Sequence, residues 1–318
     1  MREIDIFGVP QVEETIVPAI PYMGSKRKLA TKILNVIYQT VGDFDRVYDL
    51  FGGGAAFSIA ALMAGHKVFY NEKNTSIVEL LRYIITGKKL PNRWITREEY
   101  REKVGGDDWF AGFLKSCWSF GNNSEKGYLF GAENENLKRL GHLIVVDKDE
   151  LALKELSEIM NINLTMPKNR LQFRQIIKRL TGERGDLEQL EMLQQLERLQ
   201  QLERLEQLER LEQLQQLEQL QQLEISNLDY RDIEIVPNSV IYCDPPYAGT
   251  AEYKEGAFNH EAFWQWCREQ SNPVFVSEYN APDDFKVVAE FKHRSTLSAT
   301  NNAKVTIEKL FWNGRDIK

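Results

Sequence analysis

The stretch from Arg46 to Leu62, RVYDLFGGGAAFSIAAL, constrains this chain more than any other. It reads as a short strand, a triple-glycine turn and a helix. HKVFYNEKN, residues 66–74, follows as a second strand that ends on polar and acidic residues, and a helix is expected over 76–85. Strands alternating with helices build an open parallel sheet, so the chain is expected to be α/β. Gly52, Gly53 and Gly54 have no Cβ and let the backbone approach a ligand, toward which the following helix aims its first amides. The GxGxxG spacing of dinucleotide sites and the GK[ST] ending of a P-loop are both absent. Glu72 lies about 20 residues past the turn, at the end of the second strand, where a carboxylate accepts both hydroxyls of a ribose.

Sheet-like runs stop after Gly87 and resume near IEIVPNSVIYCDPPY, ending at Tyr247, then at PVFVSEYN, residues 273–280. Two final strands are expected near 285–291 and 304–312. Residues 88–186 read as a mostly helical insertion. The expected units are a sheet domain from 1–87 and 224–318, an inserted domain over 88–186, and a low-complexity repeat over 187–223. Composition supports a globular chain: of 318 residues, 42% are hydrophobic and 27% charged. No apolar run approaches the roughly 20 residues of a membrane span. The opening MREIDIFGVP lacks an apolar signal core, so a cytoplasmic location is expected. The three cysteines and four histidines show no metal-ligand spacing, and no metal is expected.

The repeat places leucine at every third position from Leu187 to Leu223, thirteen in all. In an α-helix, a step of three residues turns about 300°, so the leucines spiral around the axis and no single face buries them. A 3₁₀-helix keeps them in line but is rarely long. An inward-turned solenoid is a third solution. The Leu, Glu, Gln and Arg composition favours α-helix. The repeat reads either as a tolerated expansion or as a surface for self-association. It also distorts the global charge. Residues 187–224 carry −6 of the chain's −7, which leaves the remaining body near neutral and able to hold a basic cleft.

The densest chemistry is Asp244-Pro245-Pro246-Tyr247, immediately after the strand SVIYC. The carboxyl edge of a sheet strand is where open α/β sheets bind ligands. The prolines restrict the backbone before them and hold the Asp244 carboxylate and the Pro245 carbonyl as fixed acceptors. Two acceptors near one point suit an amino group with two hydrogens, and Tyr247 offers a ring on which a flat base stacks.

Taken together, PYMGSK at 21–26, DLFGGGA at 49–55, NEKN at 71–74, Asp229-Tyr230 and DPPY at 244–247 resemble the Dam-type N6-adenine DNA methyltransferases of bacteria and bacteriophages, the D12 class in its α arrangement. SEY at 277–279 and EKLFW at 308–312 resemble phage members. The resemblance spans nearly the whole chain outside the repeat. It implies a Rossmann-like, S-adenosylmethionine-dependent fold with a helical, inserted DNA-recognition domain. It implies a cofactor site made of Tyr22, Gly24, Lys26, Asp49, Phe51, Gly52, Gly54, Glu72, Asp229, Tyr230 and Asp244. Glu72 stands where the family has Asp. Catalysis is implied for Asp244, Pro245, Pro246 and Tyr247, acting on a base flipped out of duplex DNA. Two segments then become candidates for touching that duplex. SFGNNSEKG offers Asn122, Asn123, Ser124 and Lys126. PKNRLQFRQIIKRLTGER spaces Arg170, Arg174 and Lys178 on one helix face for phosphates. A cytosine-N4 or RNA methyltransferase, or a non-catalytic DNA-binding protein on the same fold, remain open readings, because DPPY selects an amine more clearly than it selects a base.

Overall fold

The computed structural model describes residues 2–4, 8–122, 127–132, 135–183, 209–247, 258–294 and 305–317. Two short paired strands, β1 (Glu3–Ile4) and β2 (Pro10–Gln11), precede helix α1 (Ala30–Val41). Then come β3 (Arg46–Asp49), α2 (Ala56–Met63), β4 (Lys67–Asn71) and α3 (Thr75–Ile85), as the opening pattern predicts. The main sheet is completed by β5 (Glu224–Ser226), β6 (Ser239–Cys243), β7 (Val274–Glu278), β8 (Lys286–Arg294) and β9 (Val305–Trp312). Its order is β5-β4-β3-β6-β7-β9-β8. The first five strands in that order run parallel, and β9 pairs antiparallel with both β7 and β8.

The chain steps outward from β3 through β4 to β5, then returns to the other side of β3 with β6. The reversal opens a crevice at the carboxyl ends of β3 and β6, the usual place for a ligand in such sheets. Asp49 ends β3 and pairs with Tyr242, which stands just before Cys243 and Asp244. Every residue of β6 and β7 is buried, as expected of parallel strands covered on both faces. On one side lies α2, whose residues Ala56 to Leu62 are all buried, together with α1, which contributes Ala30, Ile33, Leu34, Ile37 and Tyr38. Helix α9 (His260–Glu269) packs Phe263, Trp264 and Cys267 into a second cluster with Ile241, Val274 and Val276.

The insertion contains α4 (Arg97–Lys103), α5 (Trp109–Cys117), α6 (Glu135–His142), a π-helical turn over Leu143–Asp147, α7 (Glu150–Ile159) and α8 (Arg170–Glu183). The sequence boundary at residue 88 does not coincide with a boundary between cores. Leu90, Ile95, Tyr100, Phe113, Trp118 and Phe130 belong to the same hydrophobic cluster as α1, α2 and α3. A Cβ on Gly112 of α5 would lie 2.0 Å from the Ser76 carbonyl oxygen, so α5 and α3 touch backbone to backbone. A separate core begins only with α6 and holds Leu140, Ile144, Leu156, Met160, Phe173 and Ile177.

The end of the leucine repeat also departs from expectation. Residues 209–215 are α-helical, and Glu218–Gln222 form a 3₁₀ turn. Leu211, Leu214, Leu220 and Leu223 are buried in the main core, and Leu217 packs against it. Among the described residues, the spiral of exposed leucines is avoided because the α-helix stops just after Leu214, before the stripe has rotated away. The 3₁₀ turn that follows has three residues per turn and keeps leucines three apart on one side. The Gln215 side-chain amide donates to the Lys88 carbonyl at 2.8 Å. Residues 187–208 of the repeat lie outside the described residues. Among those described, no helix is long and apolar enough to cross a membrane.

Two expectations follow. Leu214→Ala removes a fully buried side chain and should cost about 2–5 kcal/mol of unfolding free energy by urea titration, where a solvent-exposed repeat would lose almost nothing. The second concerns His66, which is buried, bonded through Nε2 to the Tyr38 hydroxyl and stacked on Phe44. Burial, with the positive charge of Arg2 adding to it, lowers its pKa to about 4. The folded state therefore binds fewer protons than the unfolded chain between that value and the unperturbed pKa of about 6.5. The contribution is fully present above the unfolded value and is lost as pH falls toward the folded one, by at most about 3 kcal/mol. Urea midpoints across this range should fall more steeply for the wild type than for His66→Phe.

Candidate active site

The PYMGSK segment runs beside the glycine turn. Ile20 N–H donates to the Gly54 carbonyl at 2.9 Å. A Cβ on Gly54 would meet the Ile20 carbonyl oxygen at 2.3 Å, and one on Gly52 would meet the Tyr70 ring at 2.2 Å. These two glycines are therefore required by the protein's own packing, where the sequence assigns them to ligand approach. Gly53 has a positive φ of 47° and lies against the Tyr22 ring. Its carbonyl accepts from the Tyr70 hydroxyl at 2.8 Å. Gly24 sits in the turn that delivers Lys26.

Glu72 fixes the glycine turn from the next strand. One of its oxygens accepts from Gly53 N–H and the other from Asn74 N–H, each at 2.8 Å. Burial raises its pKa, and these amides pull it back. Asn71 and Asn227 tie the strand ends together. Asn71 donates to the Leu50 and Leu228 carbonyls and accepts from Leu228 N–H. Asn227 donates to the carbonyls of Glu72 and Lys73. Asp49 is buried, and its Oδ2 accepts from both the amide and the hydroxyl of Ser58. Its Oδ1 is buried and accepts no hydrogen bond. Burial, with Asp244 and Glu72 nearby, pushes Asp49 up to about 7 against the pull of Ser58.

Asp244 follows β6 at the same edge. Its Oδ2 is 2.8 Å from the Lys26 ammonium, its Oδ1 is buried, and the Tyr247 hydroxyl also bears on this carboxylate. The Asp244 side chain retains 19% exposure, none of it at Oδ1. Burial raises its pKa, while Lys26 opposes the rise. Lys26 is 8% exposed, so it is no surface cation. Its ammonium also lies 3.5 Å from Glu308 Oε1, 3.2 Å from the Gly24 carbonyl and 5.0 Å from the Tyr247 ring centre. Desolvation disfavours the charge on Lys26, but the two carboxylates outweigh it and raise its pKa. Pro245 is buried and Pro246 half-buried.

Sequence reasoning leaves two members of this group without a role. Glu308 sits on β9, and Tyr279 packs edge-on to Tyr247 at 4.9 Å and 83°. The segments SEY and EKLFW contain these residues, but their side chains reach the site only once β7 and β9 pair. Behind them, Tyr242 bonds the Ser277 hydroxyl at 2.9 Å.

Other expected site residues are engaged elsewhere. Phe51 and Tyr230 pack together at 5.3 Å within an aromatic cluster that includes Phe258 and Phe263. The Asp229 carboxylate is held at 2.7 and 3.0 Å by the Arg231 guanidinium. Asn122 has a left-handed φ of 58°, and its side-chain amide donates to the Ser116 carbonyl at 2.5 Å, so that amide is engaged within the fold. Asn123, Ser124 and Lys126 lie outside the described residues. Arg170, Arg174 and Lys178 stand on α8, and their side chains lie outside the description.

The residues fit a sulfonium cofactor. The donorless Oδ1 of buried Asp49 suits the ammonium of an amino acid, and Glu72 retains lone pairs for ribose hydroxyls. Asp229 can serve a base edge once its pair with Arg231, whose side chain is 60% exposed, gives way. The chain from residue 22 to residue 142 matches the family model of the D12 class N6 adenine-specific DNA methyltransferases. The matched stretch holds most of the PYMGSK loop, the glycine turn and Glu72, and stops before DPPY. No curated protein matches the chain.

Gly54→Ala is expected to push the Ile20 backbone away from the turn. Stability should fall by about 1–3 kcal/mol in urea titration. An alanine variant as stable as wild type would remove the packing role given to this glycine.

Proposed function

We propose that the protein transfers a methyl group from S-adenosylmethionine to the N6 amine of adenine in duplex DNA, as a site-specific, Dam-type enzyme. The observation that carries this reading is the meeting of DPPY with the PYMGSK lysine. Asp244, Tyr247 and Lys26 converge at the carboxyl edge of β6, on the same sheet edge as the glycine turn and Glu72. The family match over residues 22–142 supports the same chemistry.

In this reading, Asp49, Glu72 and the 21–26 loop hold the cofactor, and Asp229 and Tyr230 border its adenine. The cofactor supplies a methyl carbon on sulfonium sulfur: the N6 lone pair forms the C–N bond, the C–S electron pair goes to sulfur, and the resulting aminium loses one proton. Asp244 Oδ1 and the Pro245 carbonyl accept from the two N6 hydrogens. Those hydrogen bonds orient the amine and draw its lone pair out of conjugation with the ring. Tyr247 stacks on the base, and Tyr279 braces Tyr247 with an edge contact. Burial holds the Tyr247 hydroxyl protonated far above neutral pH, so Tyr247 is a stacking surface and not a base. Asp244 accepts the released proton or passes it to solvent. Most of the rate gain comes from alignment and fixed charge.

The insertion supplies a DNA surface through the 119–127 loop and α8, and the leucine repeat is a tolerated expansion or a means of self-association. A cytoplasmic setting, in a bacterium or a phage-infected host, suits such an enzyme. Incubation with labelled S-adenosylmethionine and unmethylated duplex DNA, followed by nucleoside analysis, should yield N6-methyladenine. Asp244→Ala should lower the rate by at least about a hundredfold while retaining cofactor binding. N4-methylcytosine as the product would replace adenine with cytosine as the target. Cofactor binding with no product on any DNA would sink the enzymatic reading.

A further inference from the structure

Lys26 presents a difficulty for the reaction that Asp244 is given. An ammonium 2.8 Å from Oδ2 neutralises the carboxylate on which the target amine depends. A neutral Lys26–Asp244 pair is a weak acceptor. It also offers little to the positive charge that passes to N6 as the C–N bond forms and the C–S bond breaks. The structure places a second carboxylate beside the same ammonium. Glu308 projects from β9 with its side chain 4% exposed, and Oε1 stands 3.5 Å from Lys26 Nζ. A buried glutamate on a strand is costly unless paired, and apolar residues fill a strand interior without that cost. Close by on the same strand, Leu310 and Phe311 are buried in just that way.

We propose that Glu308 is a positioning residue that takes up the charge of Lys26 and keeps Asp244 available to the target amine. This rests on the methyl-transfer reading above. With one cation between two carboxylates, the group carries a net negative charge. Lys26 can stay paired with Glu308 and bonded to the Gly24 carbonyl while the amine arrives at Asp244. The Tyr247 ring, 5.0 Å from the ammonium, bounds the space in which it moves. The other acids at this edge have partners of their own: Asp49 is engaged by Ser58, Glu72 by backbone amides, and Glu278 by the Tyr279 amide. The balancing role therefore falls to Glu308.

Glu308→Gln preserves shape and removes the charge. It is expected to lower kcat at least about tenfold, with the KM for S-adenosylmethionine within about twofold of wild type. The decisive arm is Lys26→Met in the Glu308→Gln background. If Glu308 acts by balancing Lys26, removing the lysine restores part of the activity, and the double variant is faster than Glu308→Gln alone. If Glu308 serves only to hold the strand, the two losses multiply, and the proposal fails. An unchanged kcat in Glu308→Gln also overturns it.

A second measurement does not depend on turnover. The side-chain nitrogen resonance of the Lys26 ammonium should shift when duplex DNA and S-adenosylhomocysteine bind to wild type, and should shift less in Glu308→Gln. A wild-type resonance that stays in place under saturating DNA overturns the proposal while leaving methyl transfer intact. A wild type that forms no methylated nucleoside removes both the proposal and the reading beneath it.

Discussion

Asp49, Glu72 and Asp244 stand at the carboxyl ends of three adjacent strands, β3, β4 and β6, and the charge of each raises the cost of the others. Burying acids together is an electrostatic penalty that the surrounding elements are arranged to offset. The glycine turn brings an amide to Glu72, α2 brings Ser58 to Asp49, and the 21–26 loop brings Lys26 to Asp244. Asp49 and Glu72 find their partners within the β3–α2–β4 unit, whereas Lys26 reaches Asp244 only once β6 pairs with β3. The carboxyl edge is thus where the fold is electrostatically least at ease. Among the described residues, nothing donates to the buried Oδ1 of Asp49.

Much of the sheet is legible in the residues. The strand-glycine-helix-strand pattern locates β3, α2, β4 and α3, because burial patterns local in sequence decide such elements. DPPY marks the carboxyl edge of β6. What stays hidden depends on pairings distant in the chain. Glu308 reads as an ordinary strand acid until β9 pairs with β7 and turns it toward Lys26. Tyr279 is likewise one aromatic among many until it meets Tyr247. The glycine turn is legible in position but not in cause, since the Tyr70 ring and the Ile20 carbonyl that exclude a Cβ there come from separate elements.

The insertion shows the same limit at a larger scale. A change of texture after Gly87 marks where sheet-like sequence stops, but not where the core stops. Gly112 lets α5 lie directly on α3, and the aromatic group of Trp94, Trp118, Tyr128 and Phe130 extends the sheet domain's core into the insertion. Only from α6 onward does the chain build a second core. Ser119 and Tyr128, which bridge at the base of the 119–127 segment, are thereby anchored on the sheet domain. A surface that touches DNA through α8 would belong to the smaller body.

The buried end of the leucine repeat carries a consequence for how its length can change. Leu211, Leu214, Leu217, Leu220 and Leu223 meet the core at intervals of three, and the residues between them are almost interchangeable Glu and Gln. The leucines before them keep the same phase as far back as Leu187. A chain that gains or loses one triplet still presents leucines in step to the same cavity, whereas a gain of one or two residues puts polar side chains there. The anchor reads phase and not identity, so the gene can lengthen or shorten this segment by whole triplets without disturbing the sheet it is fastened to.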